Sequence, residues 1–207
     1  FYNRKEIRLS LSYLFRIKVK GKYLLVKSAR IPGQYQPVGG VYKYYEETKP
    51  LFDKLGILDD KSIPMDETNK SDLRLRIKGN KLIDFLKWYD SKQGREVSAW
   101  REFCEELVKP GILPADIFPH IQYRYIKTVK VAFTYSKYFQ RTEYKTYDIY
   151  EPLFSAKQQE IIDKLSEVQN SSDNNFIWVN EDMITSLGYN AEMKKEYIVG
   201  EHTEYIL

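Results

Sequence analysis

The sequence predicts an α+β protein built on a mixed β-sheet with helices on both of its sides. Three observations carry that expectation. Residues 9–19 and 123–135 alternate apolar and polar side chains at period two, as half-buried strands do. Ile161, Ile162, Leu165 and Val168 recur at helical spacing behind Ser155, a residue that caps helices. Between the two long strands stands Trp100-Arg101-Glu102-Phe103-Cys104-Glu105-Glu106-Leu107, which a helix divides into one acidic and one apolar face.

The elements follow in order. Leu9, Leu11, Tyr13, Phe15, Ile17 and Val19 line one face of the first strand, Gly21-Lys22 turns a hairpin, and residues 23–28 return as its second arm. A loop at 31–35 leads to a short strand at 36–38 and then to Gly39-Gly40, a dipeptide that alone reads as a tight turn. Residues 59–71 are polar and aperiodic, an exposed loop; residues 72–77 alternate again as a short strand. Asn80 is placed to cap a helix through Tyr89, with Leu82, Phe85, Leu86 and Tyr89 on one face. Gly94-Arg95-Glu96 breaks that helix, the acidic helix starts near Val97, and Pro110-Gly111 ends it. Tyr123, Tyr125, Val129, Val131, Phe133 and Tyr135 share one side of the next strand, which pairs with residues 144–150. After the Ser155 helix come a polar link at 170–175, a buried strand at 176–179, and a last short helix opened by Asn180.

Composition bounds the function. The 207 residues suit one large domain or one domain with an insertion, and 43% hydrophobic content with 15% aromatics supplies a sizeable core. A net charge of +4 favours an anionic ligand but is too small for a DNA or RNA duplex binder. Cys104, the single cysteine, has no intrachain partner and reads as a core residue of a reducing compartment. His120 and His202 show no metal-ligand spacing with it. The sequence holds no run of 18 apolar residues that could cross a membrane, and none of its segments reads as a signal peptide. The chain opens Phe1-Tyr2-Asn3 without an initiator Met, so residues are expected before it.

The acidic stretch carries the chemistry. At 100° per residue, Glu102, Glu105 and Glu106 fall at about 0°, 300° and 40°, one arc of roughly 100°. Trp100, Phe103, Cys104, Leu107 and Val97 take the opposite arc. Three carboxylates on one ridge repel unless a cation sits among them, and oxygen ligands suit Mg2+, Mn2+ or Ca2+. The other reading is a solvated acidic face.

Arg-Glu-hydrophobe-x-Glu-Glu resembles the second half of a Nudix box, and Tyr35-Gln36-Pro37-Val38-Gly39-Gly40-Val41 resembles the Pro-Gly-Gly segment that opens one. Across nearly the whole chain, from 35–41 through 72–77, 85–89, 95–96, 100–107 and 176–179 to 202–207, the sequence resembles the SMODS-associated Nudix domain. That family stands beside cyclic-oligonucleotide synthases in bacterial antiphage (CBASS) operons. The resemblance implies a Nudix-like α/β/α sandwich with residues 42–93 inserted between the Gly-Gly segment and the box helix. It implies catalytic roles for Glu102, Glu105, Glu106 and Arg101, with Mg2+ or Mn2+ held by the three glutamates and the Gly40 carbonyl. It also implies a cytoplasmic domain of a bacterial inner-membrane effector, with a transmembrane segment upstream of residue 1, a homo-oligomeric state, and a cyclic di- or trinucleotide as partner. Two positions depart from the box. Gln93 stands eight residues before Arg101 in place of a Glu, and Lys109 stands three after Glu106 in place of a Gly. Glu96, one turn closer, is the substitute for the first. Both departures weigh against hydrolysis more than against metal binding.

A cyclic nucleotide needs cations for its phosphodiesters and aromatic faces for its bases. Arg124, Tyr125, Lys127 and Tyr135 interleave the two, and Arg74 and Arg76 share one face of their short strand. The same pattern marks the solvent side of an amphipathic strand. Sensing of a cyclic oligonucleotide is thus the first functional expectation. A metal-dependent pyrophosphohydrolase acting on a nucleoside diphosphate-linked substrate is the alternative, and a structural membrane-proximal module is the third.

Overall fold

The computed structural model describes residues 5–62, 70–171 and 173–207. Strand β1 (Glu6–Phe15) leads into the hairpin of β2 (Lys18–Val19) and β3 (Lys22–Lys27). Then come β4 (Gln34–Gln36), β5 (Gly39–Val41), helix α1 (Lys49–Leu55), β6 (Leu58–Asp59), β7 (Arg74–Lys78) and α2 (Leu82–Ser91). Helix α3 (Trp100–Phe103) continues as a π-helical turn over Cys104–Val108. The long strands β8 (Gln122–Ser136) and β9 (Arg141–Leu153) follow. Helix α4 (Ala156–Ser166), β10 (Phe176–Val179), α5 (Glu181–Thr185), β11 (Ile198–Val199) and 3-10 turns over Glu201–Ile206 close the chain.

Two sheets result, with strand orders β6-β7-β1-β9-β8, where β5 also pairs β1, and β10-β3-β4-β11, where β2 also pairs β3. Only a parallel β4–β11 pair breaks the antiparallel pattern of the registered pairs, so the α+β class with a mixed sheet holds. Contacts divide the chain into two compact units. The first takes the described residues of Phe1–Tyr13, Gly40–Ser98 and Thr128–Tyr147; the second takes Leu14–Gly39, Ala99–Lys127 and those of Asp148–Leu207.

In the first unit β1 is buried on both faces, where its alternation predicts one. Ile7, Leu9, Leu11 and Tyr13 are fully buried, and Arg8 and Ser12 are buried too. β7 runs antiparallel with Leu75 opposite Leu9 and Ile77 opposite Ile7. A buried cation needs partners, and Arg8 has two: Nε lies 2.5 Å from Asp60 Oδ2 and Nη1 lies 2.6 Å from Glu143 Oε1. Its guanidinium also stacks 3.8 Å from the Phe139 ring centroid. Asn80 does not cap α2. It sits in a 3-10 turn, Gly79–Lys81, and Lys81 holds the cap position without a side-chain bond. Burial of Leu82, Phe85 and Tyr89 sets where that helix starts. Of the loop expected over 59–71, residues 63–69 lie outside the described residues.

In the second unit, the expected first strand ends at Phe15 although its alternation continues to Val19. Phe15 N–H bonds Val38 C=O, Arg16 N–H bonds Tyr150 C=O, and the Ile17 carbonyl already accepts Leu24 N–H. The chain therefore changes pairing partners at residues 16–17. Val19 faces Lys22 across the hairpin, so the loop is Lys20-Gly21, both with positive φ (48° and 80°), the two-residue turn that matches strand twist. Phe15, Phe103, Phe118 and Phe154 form the aromatic core, with successive ring centroids 5.5, 6.3 and 6.0 Å apart. Ser155 and Gln158 form the capping box of α4, and Asn180 Oδ1 accepts Met183 N–H at the start of α5. Val168, counted into the α4 stripe, lies past the end of that helix and is exposed. Among the described residues no helix is long and apolar enough to cross a membrane.

Candidate functional site

The acidic helix is anchored by fully buried Phe103 and Leu107, and its first turn is held by Ala99 N–H donating to Tyr123 Oη at 2.9 Å. Its apolar arc is narrower than the sequence predicts: Val97 precedes the helix and is exposed, and Trp100 and Cys104 are part-exposed. Lys109 N–H reaches Cys104 C=O, five residues back, at 2.8 Å. That wider π turn holds Glu105 and Glu106, so the regular 100° step behind the predicted arc does not run the length of the ridge. Such turns occur often at functional sites.

The three glutamates divide their partners. Arg101 Nη1 lies 2.5 Å from Glu102 Oε1 and 3.3 Å from Glu105 Oε2, bridging the two. Lys109 Nζ stands 3.6 Å from the other Glu105 oxygen. Glu106 Oε2 accepts the Gly39 N–H at 2.8 Å. Gly39 has φ +151°, in the half of conformational space that side chains disfavour. Burial pushes the Glu106 carboxyl well above the usual carboxylate range; the Gly39 N–H opposes this, while the Glu102 and Glu105 charges add to it.

Gly39 of the Gly-Gly segment and Glu106 of the acidic helix thus meet, 67 residues apart in sequence, through one backbone-to-side-chain hydrogen bond. A family model described as the SMODS-associated NUDIX domain matches residues 6–207. The chain belongs to this family. A solved protein with a likeness is the E. coli ORF135 protein, at 11% identity, covering 97% of this chain and 86% of that one with a TM-score of 0.37. No similar sequence was found among curated proteins.

Nudix domains generally use divalent metals, and an all-carboxylate donor set has the chemistry for one. The arrangement of this SMODS-associated domain does not present such a cage. Glu102 and Glu105 converge on a guanidinium, Glu106 is turned to an N–H, and among the described residues no group of three His, Cys, Asp or Glu side chains is placed to hold a metal ion. Gly39 supplies the bond that the sequence reading missed, and the Gly-Gly dipeptide was its signal. Gly40, expected to lend its carbonyl to a metal, falls in the range of the first unit. Glu96, the expected substitute for the absent box Glu, accepts Lys43 N–H at 3.2 Å in the first unit.

The expected ligand residues fall into two groups. In the first unit, Arg74 pairs with Asp72 at 2.5 Å, Arg76 reaches Glu6 at 3.4 Å and the Asp59 carbonyl at 3.3 Å, and Tyr135 is 65% exposed. In the second, Arg124 and Tyr125 sit beside Tyr150 and Glu151 on neighbouring strands. Tyr125 packs edge-on at 6.1 Å from the Tyr150 ring centroid yet stays 57% exposed. Glu151 accepts from Arg124 at 2.8 Å and from Arg16 at 3.0 Å. Burial alone would raise the Glu151 carboxyl, but these two cations hold it below the usual range. Lys127 Nζ donates to the Leu207 carbonyl oxygen at 3.1 Å.

Proposed function

We propose that this chain is the cyclic-oligonucleotide-sensing domain of a membrane-associated antiviral effector, binding its ligand without hydrolysing it. The observation that carries the reading is the state of the acidic ridge. Arg101 bridges Glu102 and Glu105, and the buried Glu106 carboxyl accepts Gly39 N–H. A ridge whose acids are engaged by Arg101 and Gly39 N–H acts as an internal brace, and it leaves ligand recognition to cationic and aromatic surfaces elsewhere. Membership of a SMODS-associated family supports the setting, and exposed aromatic rings such as Tyr125 support stacking of a base.

Titration calorimetry of the chain against cyclic di- and trinucleotides, with linear counterparts as controls and a chelator present, tests this. Binding of one cyclic species tighter than about 100 μM, roughly −5.5 kcal/mol, is the expected result. Binding only of linear nucleoside diphosphate derivatives, and only with Mg2+ or Mn2+, would favour the pyrophosphohydrolase, to which the retention of three glutamates on one short helix also points.

A further inference from the structure

A concavity in the second unit, away from the residues that sequence patterns single out, has the make-up of an anion site. The 28–36 segment and residues 187–202 border an open, solvent-facing cavity of about 470 Å³, within the size range of small-ligand sites. Arg30, Lys195 and His202 line it against a single acid, Glu201. Gln34 and Gln36 line it from β4. Side chains alternate along a strand, so these two amides share one face while Tyr35 between them is buried. Ile31, Leu187 and Val199 supply apolar surface.

Local hydrogen bonds shape this wall. Ser28 Oγ accepts the N–H groups of Arg30 (3.3 Å) and Ile31 (3.2 Å). Ser28 N–H donates to the Gln34 carbonyl at 2.7 Å, and Gln34 N–H donates to the Ile31 carbonyl at 3.1 Å. The loop carrying Arg30 is therefore tied to the strand carrying the two amides. β11 runs parallel to β4, with Ile198 opposite Gln34 and Val199 opposite Tyr35, and Gly200 N–H extends that pairing to the Tyr35 carbonyl at 2.9 Å. A methyl group on Gly200 would come within 3.0 Å of both the Gln34 side-chain nitrogen and the His202 ring. Glycine there lets an amide and an imidazole flank one point of the cavity.

We propose that this cavity is the nucleotide-binding site of the chain, taking a phosphodiester-linked nucleotide. Arg30 and Lys195 meet the phosphate as fork and point charge, and the Gln34 and Gln36 amides, each donor and acceptor, meet the edge of a base. The proposal rests on the sensing reading above and gives it a place in the fold.

Amide chemical-shift mapping of the isotope-labelled chain tests it, with a panel of cyclic di- and trinucleotides and with 5′-AMP as probes, alongside affinities for Arg30→Ala/Lys195→Ala and Gly200→Ala. Arg30 and Lys195 are exposed, and the Lys195 contact with the Tyr189 ring, at 5.3 Å, is a surface one, so the double variant should fold and melt close to the wild type. Shifts should cluster at residues 28–36 and 195–202. Affinity should fall about tenfold or more in the double variant, and Gly200→Ala should weaken binding with no change of charge. If a cyclic probe binds the wild type and the double variant equally, the cavity is not the site, while sensing stands. If no cyclic probe binds but 5′-AMP shifts these amides and the double variant abolishes the effect, the cavity is a mononucleotide site, and both the phosphodiester assignment and the sensing reading fall. If no probe shifts them, the proposal is overturned.

Discussion

Replacing Arg8 by Met in the first unit removes the cation from a buried network while keeping much of its volume. The Arg8 side chain is 5% exposed, Asp60 0% and Glu143 6%, so the substitution takes the central cation from two buried carboxylates. Among the described residues it leaves Asp60 its Ser62 bonds and Glu143 Lys145 at 3.4 Å. Breaking a buried ion pair from one side costs about 3–5 kcal/mol, and the lost stacking on Phe139 adds to it. For a chain of this size that corresponds to a fall in Tm of roughly 6–20 °C. The cost should depend on pH. Burial works to raise the Asp60 carboxyl, but hydrogen bonds from Ser62 and the Arg8 charge hold it below its ordinary value of 3.8. A depressed carboxylate gives stability that is present above the unfolded pKa and lost as pH falls through the folded one. The variant lacks the Arg8 contribution, so the gap between the two proteins should be widest near neutrality and narrow in acid. Adding Asp60→Asn and Glu143→Gln to Arg8→Met should recover part of the loss. Urea melts at several pH values read all of this. A loss under about 1 kcal/mol, the level of an exposed pair, with no narrowing in acid would refute the reasoning.

Other consequences follow from the second unit. Glu106, with its raised carboxyl, is protonated in the fold where the unfolded chain is not, so its contribution is full below the ordinary value of 4.5 and is lost as pH rises toward the folded value. Wild type should therefore lose up to about 1.4 kcal/mol per pH unit relative to Glu106→Gln across that window; parallel pH profiles would show an ordinary carboxyl. In Arg101→Gln the bridge between Glu102 and Glu105 is gone, so millimolar Mg2+ should raise Tm more than it does in wild type, a comparison that thermal melting reads directly. Ser155→Ala should cost about 0.5–2 kcal/mol through loss of the α4 capping box, measurable in the same melts.

The fold was legible where local chemistry decides it. The β2–β3 hairpin, the Ser155 and Asn180 caps, and the β8–β9 pairing all follow from turn residues, capping side chains and alternation. Alternation could not show that β1 is buried on both faces, because the partners of Arg8 lie 52 and 135 residues away. The transfer between sheets at residues 16–17 was hidden for a related reason, since Ile17 and Val19 keep the period while changing partners. In the candidate site, the run of acids on one short helix was readable, as was the Gly-Gly dipeptide whose Gly39 N–H meets Glu106. The π turn was not, because it widens the helix without changing the residue types. Arg74, Arg76 and Arg124 each carry charge as the sequence suggests, but long-range partners such as Glu6 and Glu151 engage two of them and Asp72 the third. The grouping of Arg30, Gln34 and Lys195 in the proposed site could not be read from the sequence, because a parallel pairing of β4 with β11, distant in sequence, brings them to one cavity.

The measurement that tests the account most directly is 31P NMR of cyclic oligonucleotides mixed with the chain in the presence of Mg2+. Binding without turnover predicts that the phosphodiester resonances of one cyclic species shift or broaden with added protein and that no phosphomonoester signal grows. A phosphomonoester signal that grows with protein and vanishes in Glu105→Gln, or phosphodiester resonances that the protein leaves untouched across the whole panel, would contradict it.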